Sequence, residues 1–189
     1  MAARPGTLTA VTREHFMRST DGFSLIELLI VVAIILIIAA IAIPSLLQAR
    51  MAAHEASAAG SLGAMKSAEA AYYTAYPTVG YSPDINSLGG PVPCTPSSTT
   101  ACLIDSALSA AIPGSPGKGG YFYLATGVQS GGAVINTAYV IGAAPMSVHS
   151  SANRDFCSTN DGVLRSQLGN IGDVAVNSLA SCIAFPVAQ

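Results

Sequence analysis

From Leu28 to Ile43 the chain carries no polar side chain, and past Pro44 and Ser45 the apolar run closes at Leu47. Its length approaches the roughly 20 apolar residues that take a helix across a bilayer. A lone segment in lipid can satisfy its backbone groups only as a helix, since a barrel needs many strands. Beyond Pro44 the pattern becomes a stripe. Leu47, Met51, Ala58, Leu62, Met65, Tyr72 and Tyr76 recur at helical spacing, bordered or interrupted by His54, Glu55, Lys66 and Glu69. One helix is therefore predicted from Phe23 to Tyr76, ~80 Å long. It is apolar all round over 23–47 and amphipathic over 48–76, and Pro77 stops it. Its length exceeds the width of a small domain, so its first half is expected to protrude. Pro44 removes one intrahelical hydrogen bond and crowds the preceding turn, which predicts a kink or local melting near Ala40–Pro44. Gly60 and Gly63 each cost about 1 kcal/mol relative to alanine, so the second half needs a sheet to cover it.

The remainder, 77–189, reads as a globular head. Residues 77–120 are loop-like and rich in Pro, Gly, Ser and Thr, with a short helix predicted near Asp105–Ala111. Gly114-Ser115-Pro116-Gly117-Lys118-Gly119-Gly120 has the wrong spacing for a phosphate loop and precedes a strand, so it reads as a turn. Tyr121–Thr126 and Ala133–Ile141 are predicted strands, joined through Gly127–Gly132. Arg154–Ser158 and Val163–Gln167 flank Asn160-Asp161-Gly162, a strong hairpin signal. A final strand is placed at Ala180–Phe185. A long helix, a loop and an antiparallel sheet packed on the helix's second half make an α+β fold.

Within the apolar run one residue is out of place. Glu27 puts a carboxylate where it costs about 2.5–3.5 kcal/mol near a bilayer centre and less near its edge, so a specific partner is expected for it. Gly22-Phe23-Ser24-Leu25-Ile26-Glu27-Leu28-Leu29-Ile30-Val31-Val32-Ala33-Ile34-Ile35, with Pro44 further on, resembles the amino-terminal signature of type IV pilins and type II secretion pseudopilins. The motif covers about 25 residues and is highly specific; the rest of the chain resembles the family in layout alone, with a weaker echo near Asp161.

The resemblance implies that a membrane peptidase cuts between Gly22 and Phe23 and methylates the new amino terminus. Residues 1–22 are then a leader. A start at Met17 would leave Met-Arg-Ser-Thr-Asp-Gly, like the short leaders of type IVa pilins, and Arg13 and Arg18 fit a cytoplasmic flank. It also implies a subunit that polymerises with copies of itself, starting from the inner membrane and its lipid and served by an assembly platform. The product is a surface pilus (adhesion, motility or DNA uptake) or the pseudopilus of a type II secretion system. Glu27 and Pro44 are the implied assembly residues. A third reading stays open: the basic stretch, apolar run and Ala40-Ile41-Ala42 also fit an ordinary secretory signal that would release a soluble binding domain starting at Ile43.

Composition narrows this further. The chain has 189 residues, 51% hydrophobic and 10% charged, and a formal net charge of −2. Removing 1–22 takes away three arginines and two acids and leaves −3. Such a chain offers no electrostatic footprint for nucleic acid. Cys94, Cys102, Cys157 and Cys182 form no C-x-x-C pair and lie far from His15, His54 and His149, which disfavours zinc. Behind an export signal an even count points to disulfides. Four cysteines allow three pairings. Cys94–Cys102 would staple a Pro/Ser/Thr-rich segment too polar to hold its shape by burial. Cys157–Cys182 would tie the Asp161 hairpin to the chain's end, where the family commonly places a disulfide-bounded loop.

No nucleophile elbow, Walker loop or carboxylate pair with a plausible base is present, and neither an enzyme nor a cofactor is predicted. Asp155, Asn160, Asp161 and Asp173 lack the alternating spacing of a compact calcium loop, and turn chemistry accounts for Asn160-Asp161. Tyr72, Tyr73, Tyr76 and Tyr81 read as packing residues rather than as a path for electrons.

Overall fold

The computed structural model describes residues 22–188. The leader before Gly22, with Met17, Arg13 and Arg18, lies outside the described residues. The described residues divide into two units, one ending at Ala42 and the other beginning at Ile43. Helix α1 spans Leu25–Ala75 and is assigned without a break through Pro44. The local melting expected before Pro44 is absent: Ala40–Ile43 stay helical, because one missing N–H costs one hydrogen bond while the neighbouring turns keep theirs. Pro77 closes the helix, whose last turn is extended by a Tyr76 N–H to Tyr72 carbonyl bond of 2.9 Å.

In the first unit the helical residues are aliphatic in every direction and nearly all exposed. The segment is long and apolar enough to cross a membrane.

In the second unit four strands follow: β1 (Tyr121–Val128), β2 (Ala138–Pro145), β3 (Arg154–Thr159) and β4 (Arg165–Leu168). They form one antiparallel meander in the order β1-β2-β3-β4. Alternation along the strands builds two layers. Tyr121, Tyr123, Ala125, Tyr139, Ile141, Ala143 and Phe156 face Ala58, Leu62, Met65, Ala68 and Tyr72 of α1. On the opposite face Val140 and Cys157 pack with Cys182 and Phe185. β2 is therefore buried along its whole length. Gly142 lets the second layer close, because a Cβ there would sit 2.3 Å from the Val176 carbonyl oxygen. The tyrosines serve packing: Tyr72 lies 4.8 Å from Tyr76 between ring centroids, and Tyr81 bridges Tyr73 and Tyr139 at the same separation.

Three short helices join these elements. α2 (Ile85–Leu88) is capped by Asp84 and α3 (Ser106–Ser109) by Asp105, each carboxylate accepting a backbone N–H. α4 (Leu179–Ile183) corrects the strand expected at Ala180–Phe185. Ser178 caps it by accepting the Ser181 N–H, and one helical turn presents Cys182 to Cys157. The pairing role passes to the next segment, where the Ser166 N–H donates to the Pro186 carbonyl at 2.9 Å and Arg165 bridges Val187. A short apolar run does not distinguish strand from buried helix by period alone.

β2 also starts later than the expected Ala133. The Asn136 N–H donates to Val79 at 2.9 Å and its carbonyl accepts from Tyr81 at 3.0 Å, so this stretch pairs with the chain leaving α1 instead of with β1. Each margin of the sheet has partners from outside it: the Tyr123 N–H of β1 donates to the Ala111 carbonyl at 2.7 Å, and the Ser166 N–H of β4 to the Pro186 carbonyl. A bare edge would invite strand addition from another chain.

Candidate functional site

The amino-terminal segment holds the residues singled out for processing and assembly. Gly22 and Phe23 precede the first helical turn and are exposed, Phe23 to 82%. The helix begins at Leu25, with the Leu28 N–H already donating to the Ser24 carbonyl at 3.2 Å. Glu27 lies in that first turn. An acid there complements the partial positive charge of the unpaired N–H groups. No basic side chain of the described residues pairs with it, and it is exposed among leucines and isoleucines that are themselves mostly more than half exposed. Pro44 falls inside the helix, where it leaves the Ala40 carbonyl without its intrahelical donor.

A helix with large aliphatics on all sides and one acid in its first turn has no self-contained solution in water. Buried apolar area is worth about 25 cal/mol per Å², so this surface demands lipid or another protein chain. Among the described residues no three His, Cys, Asp or Glu groups are placed to share a metal ion.

The second unit is built to hold its shape. Cys94 and Cys102 are bonded across 8 residues, and Cys157 and Cys182 across 25. The first bridge staples the 95–100 loop, where the Tyr72 hydroxyl donates to the Ser98 carbonyl. The second bridge is buried between β3 and α4. Sequence reasoning missed the residue that fastens the chain just after the helix. Glu69 is fully buried and accepts both the Ser82 N–H, at 2.9 Å, and the Ser82 hydroxyl. Burial pushes its carboxyl up to about 7 in spite of these bonds. The available signal was its place on the apolar stripe, three residues before Tyr72. Two further ties run from α1 to the loop before β3. His54 Nδ1 lies 2.8 Å from the Ser151 carbonyl oxygen, and Glu55 accepts the Asn153 N–H at 2.9 Å.

The four polar residues Asp155, Asn160, Asp161 and Asp173 do not gather around one point. Asp161 pairs with Arg165, which holds its carboxyl well below the usual range, and it also accepts the Val163 N–H at 2.9 Å. Asn160 is exposed in the turn. Asp155 is buried in β3, where desolvation and the neighbouring Asp173 raise it to about 7, and one of its oxygens has no hydrogen-bond partner.

Comparison with known proteins matches part of the chain. Residues 17–43 match the family model described as the prokaryotic N-terminal methylation motif. The chain is also 62% identical over 39 residues to the type IV wide pilus major component PilA4 of Thermus thermophilus, a stretch covering 21% of this chain and 30% of that protein. The match thus spans less than a third of the curated relative. No solved structure matches the chain.

Proposed function

We propose that this chain, whose amino terminus carries the prepilin-type signal of the type IV pilin and pseudopilin family, is a structural subunit of a type IV pilus-like filament. The observation that carries the reading is the exposed aliphatic helix immediately behind the methylation motif, with Glu27 in its first turn. In this reading residues 1–22 are a cytoplasmic leader, and the helix over 23–47 holds the precursor in the inner membrane. A prepilin peptidase cuts after Gly22 and methylates Phe23. An assembly platform then moves the helix from lipid into the filament core. Both environments are apolar, so the transfer needs little change in solvation. Pro44 is where the helix can yield on leaving the bilayer.

Glu27 sets the register. Its carboxylate pairs with the Phe23 amine of a neighbouring copy once the helices align. A buried pair adds little net stability, but a copy out of register leaves an uncompensated charge, which costs about 3–5 kcal/mol. Because the surfaces that meet are different on the two copies, the contact is head-to-tail and generates an open filament. The helix over 48–76 and the disulfide-tied head then face outward, where adhesion, motility or DNA uptake would be served.

Amino-terminal mass spectrometry of filaments sheared from the cell surface tests this. Methylated Phe23 is expected. A mature chain beginning at Ile43 would mean an ordinary secreted domain. Processed chain that remains in the envelope, with no surface filament, would assign it to a secretion pseudopilus.

A further inference from the structure

Between β4 and α4 the chain crosses the face of the sheet that points away from α1. Residues 169–177 form this strap. The Gly169 N–H donates to the Asn153 carbonyl at 2.9 Å and fixes its start, while Ser178, the cap of α4, fixes its end near the Cys157–Cys182 bridge. In between, the strap lies against two strands. A Cβ at Gly142 of β2 would meet the Val176 carbonyl oxygen at 2.3 Å, and one at Gly169 would stand 3.0 Å from Asp155 Oδ1 of β3. Ala175 is buried, whereas Ile171 and Val174 are exposed.

Asp155 sits beneath the strap, 3% exposed, and one of its oxygens has no hydrogen-bond partner. The group that reaches it from the strap is a second acid. Asp173 lies within hydrogen-bonding range of the Asp155 carboxyl, and the other contact is the Gln167 amide of β4. Among the described residues no cation answers this pair. Register places Arg165 on the same face as Asp155, but Arg165 is engaged by Asp161. Arg154 alternates to the α1 side of β3, the side that Tyr121 and Glu55 also occupy. β2 and α4 contribute no acidic or basic side chain. Two carboxylates in buried contact do not both keep their charge. Asp173 already accepts the Asn170 N–H at 2.6 Å and the Asn170 amide at 3.3 Å. A proton on Asp155 supplies what is missing, because it turns a like-charge contact into an O–H···O⁻ hydrogen bond, one of the strong kinds.

We infer that one proton shared by Asp155 and Asp173 holds the strap against the sheet, and that the strap lifts when this proton is lost. The inference concerns the head alone and stands apart from the filament reading. While the strap is closed, burial and the neighbouring acid raise Asp155 from 3.8 to about 7. Lifting the strap returns the carboxyl to water and toward its ordinary value, so closure takes up a proton. The hold is therefore complete below 3.8. Each pH unit above that eases opening by up to about tenfold, and the hold is spent once pH passes about 7. Lifting uncovers Val140 and the Cys157–Cys182 bridge, against which Val176 packs.

Hydrogen–deuterium exchange of the full chain in detergent, read by peptide and divided by the intrinsic rate at each pH, tests this. Protection over 170–177 is expected to fall at least tenfold from pH 5 to pH 8, and at pH 8 to lie at least tenfold below that of β2. Asp173→Asn, at a half-buried position whose amide oxygen can still accept the Asn170 N–H, should keep protection high at pH 8 and remove the fall. Glu69→Gln should leave the fall intact, which separates the strap from the other buried carboxyl. Wild-type protection that does not change with pH overturns the inference. Equal protection of strap and β2 at pH 8 also overturns it, since the strap would then open only with the whole head. If Asp173→Asn loosens the strap at both pH values, Asp155→Asn decides: a fall that survives there places the titrating group elsewhere and overturns the inference. Recovery of protection at pH 8 on adding calcium chloride would assign the pair to a cation instead of a proton, and overturns it as well.

Discussion

The two halves of α1 are one helix by hydrogen bonding and two materials by side chain. Over 25–47 leucine, isoleucine and valine point in every direction and stay exposed, Ile41 to 72% and Leu46 to 69%. Over 58–72 the apolar residues form a stripe, and Ala58, Leu62, Met65 and Tyr72 are buried to within about 1% of completely. A stripe is the mark of a helix covered by its own chain, and all-round apolarity that of a helix covered by something else. The difference separates the forces at work. The second half is held by a sheet, two disulfides and a buried carboxylate. Among the described residues nothing covers the first half, so its apolar surface calls for lipid or another protein chain.

The strongest way to break the comparison is to keep the first half from changing its surroundings. Gly22→Leu is expected to abolish cleavage, leaving full-length precursor in the membrane and no filament, with the head folded and both disulfides formed. Amino-terminal mass spectrometry of membranes reads it, and a normal mature product would remove the peptidase assignment. Glu27→Ala comes next. Taking a charge out of an apolar segment does not hinder insertion, so the membrane level should hold while filament yield drops at least tenfold. Quantifying both pools in one strain checks this, and wild-type filament yield would end the register role.

The second half answers to different perturbations. Replacing Cys157 and Cys182 together should cost about 3.5 kcal/mol and replacing Cys94 with Cys102 about 2.5, following loop length before strain. Denaturant unfolding of the mature chain in detergent compares the two, and equal losses would show that loop length does not govern the difference. The buried bridge also holds the last segment against β3, and an untethered terminus frays.

The head also responds to pH. Glu69 and Asp155 titrate near about 7 in the folded chain against ordinary values of 4.5 and 3.8. Their folded pKa values lie above the unfolded ones, so the unfolded chain loses its protons first. Stability is therefore greatest below about pH 4.5 and declines as pH rises toward 7, by on the order of 3 kcal/mol for Glu69 as an upper bound. Asp161 works the other way. Its carboxyl is held low by Arg165, so its contribution is present above pH 3.8 and is lost as pH falls further. A midpoint highest near pH 4–5 and lower at pH 8 is expected. Glu69→Gln should flatten that slope while keeping an acceptor for the Ser82 N–H. An unchanged slope would place the titrating group elsewhere.

Much of this architecture was legible in the order of residues, because it depends on local periodicity. The apolar run, the stripe, the Asp161 hairpin, the first strand and the short helix capped by Asp105 are each dictated by neighbours a few positions apart. Glu27 was conspicuous because its surroundings in sequence are its surroundings in space. Tertiary structure decided what depends on distant partners. Glu69 interrupts a stripe by type, yet it belongs to the core because Ser82, across the end of the helix, supplies two donors. The start of β2 was set by Val79 and Tyr81 competing for Asn136, and the segment around Cys182 became a helix because its cysteine has to meet β3. The bare face around Gly60 and Gly63 is also a tertiary result. Two glycines in a helical pattern read only as weakness, and the fold alone reveals that, among the described residues, nothing lies within 4 Å of a Cβ placed at either.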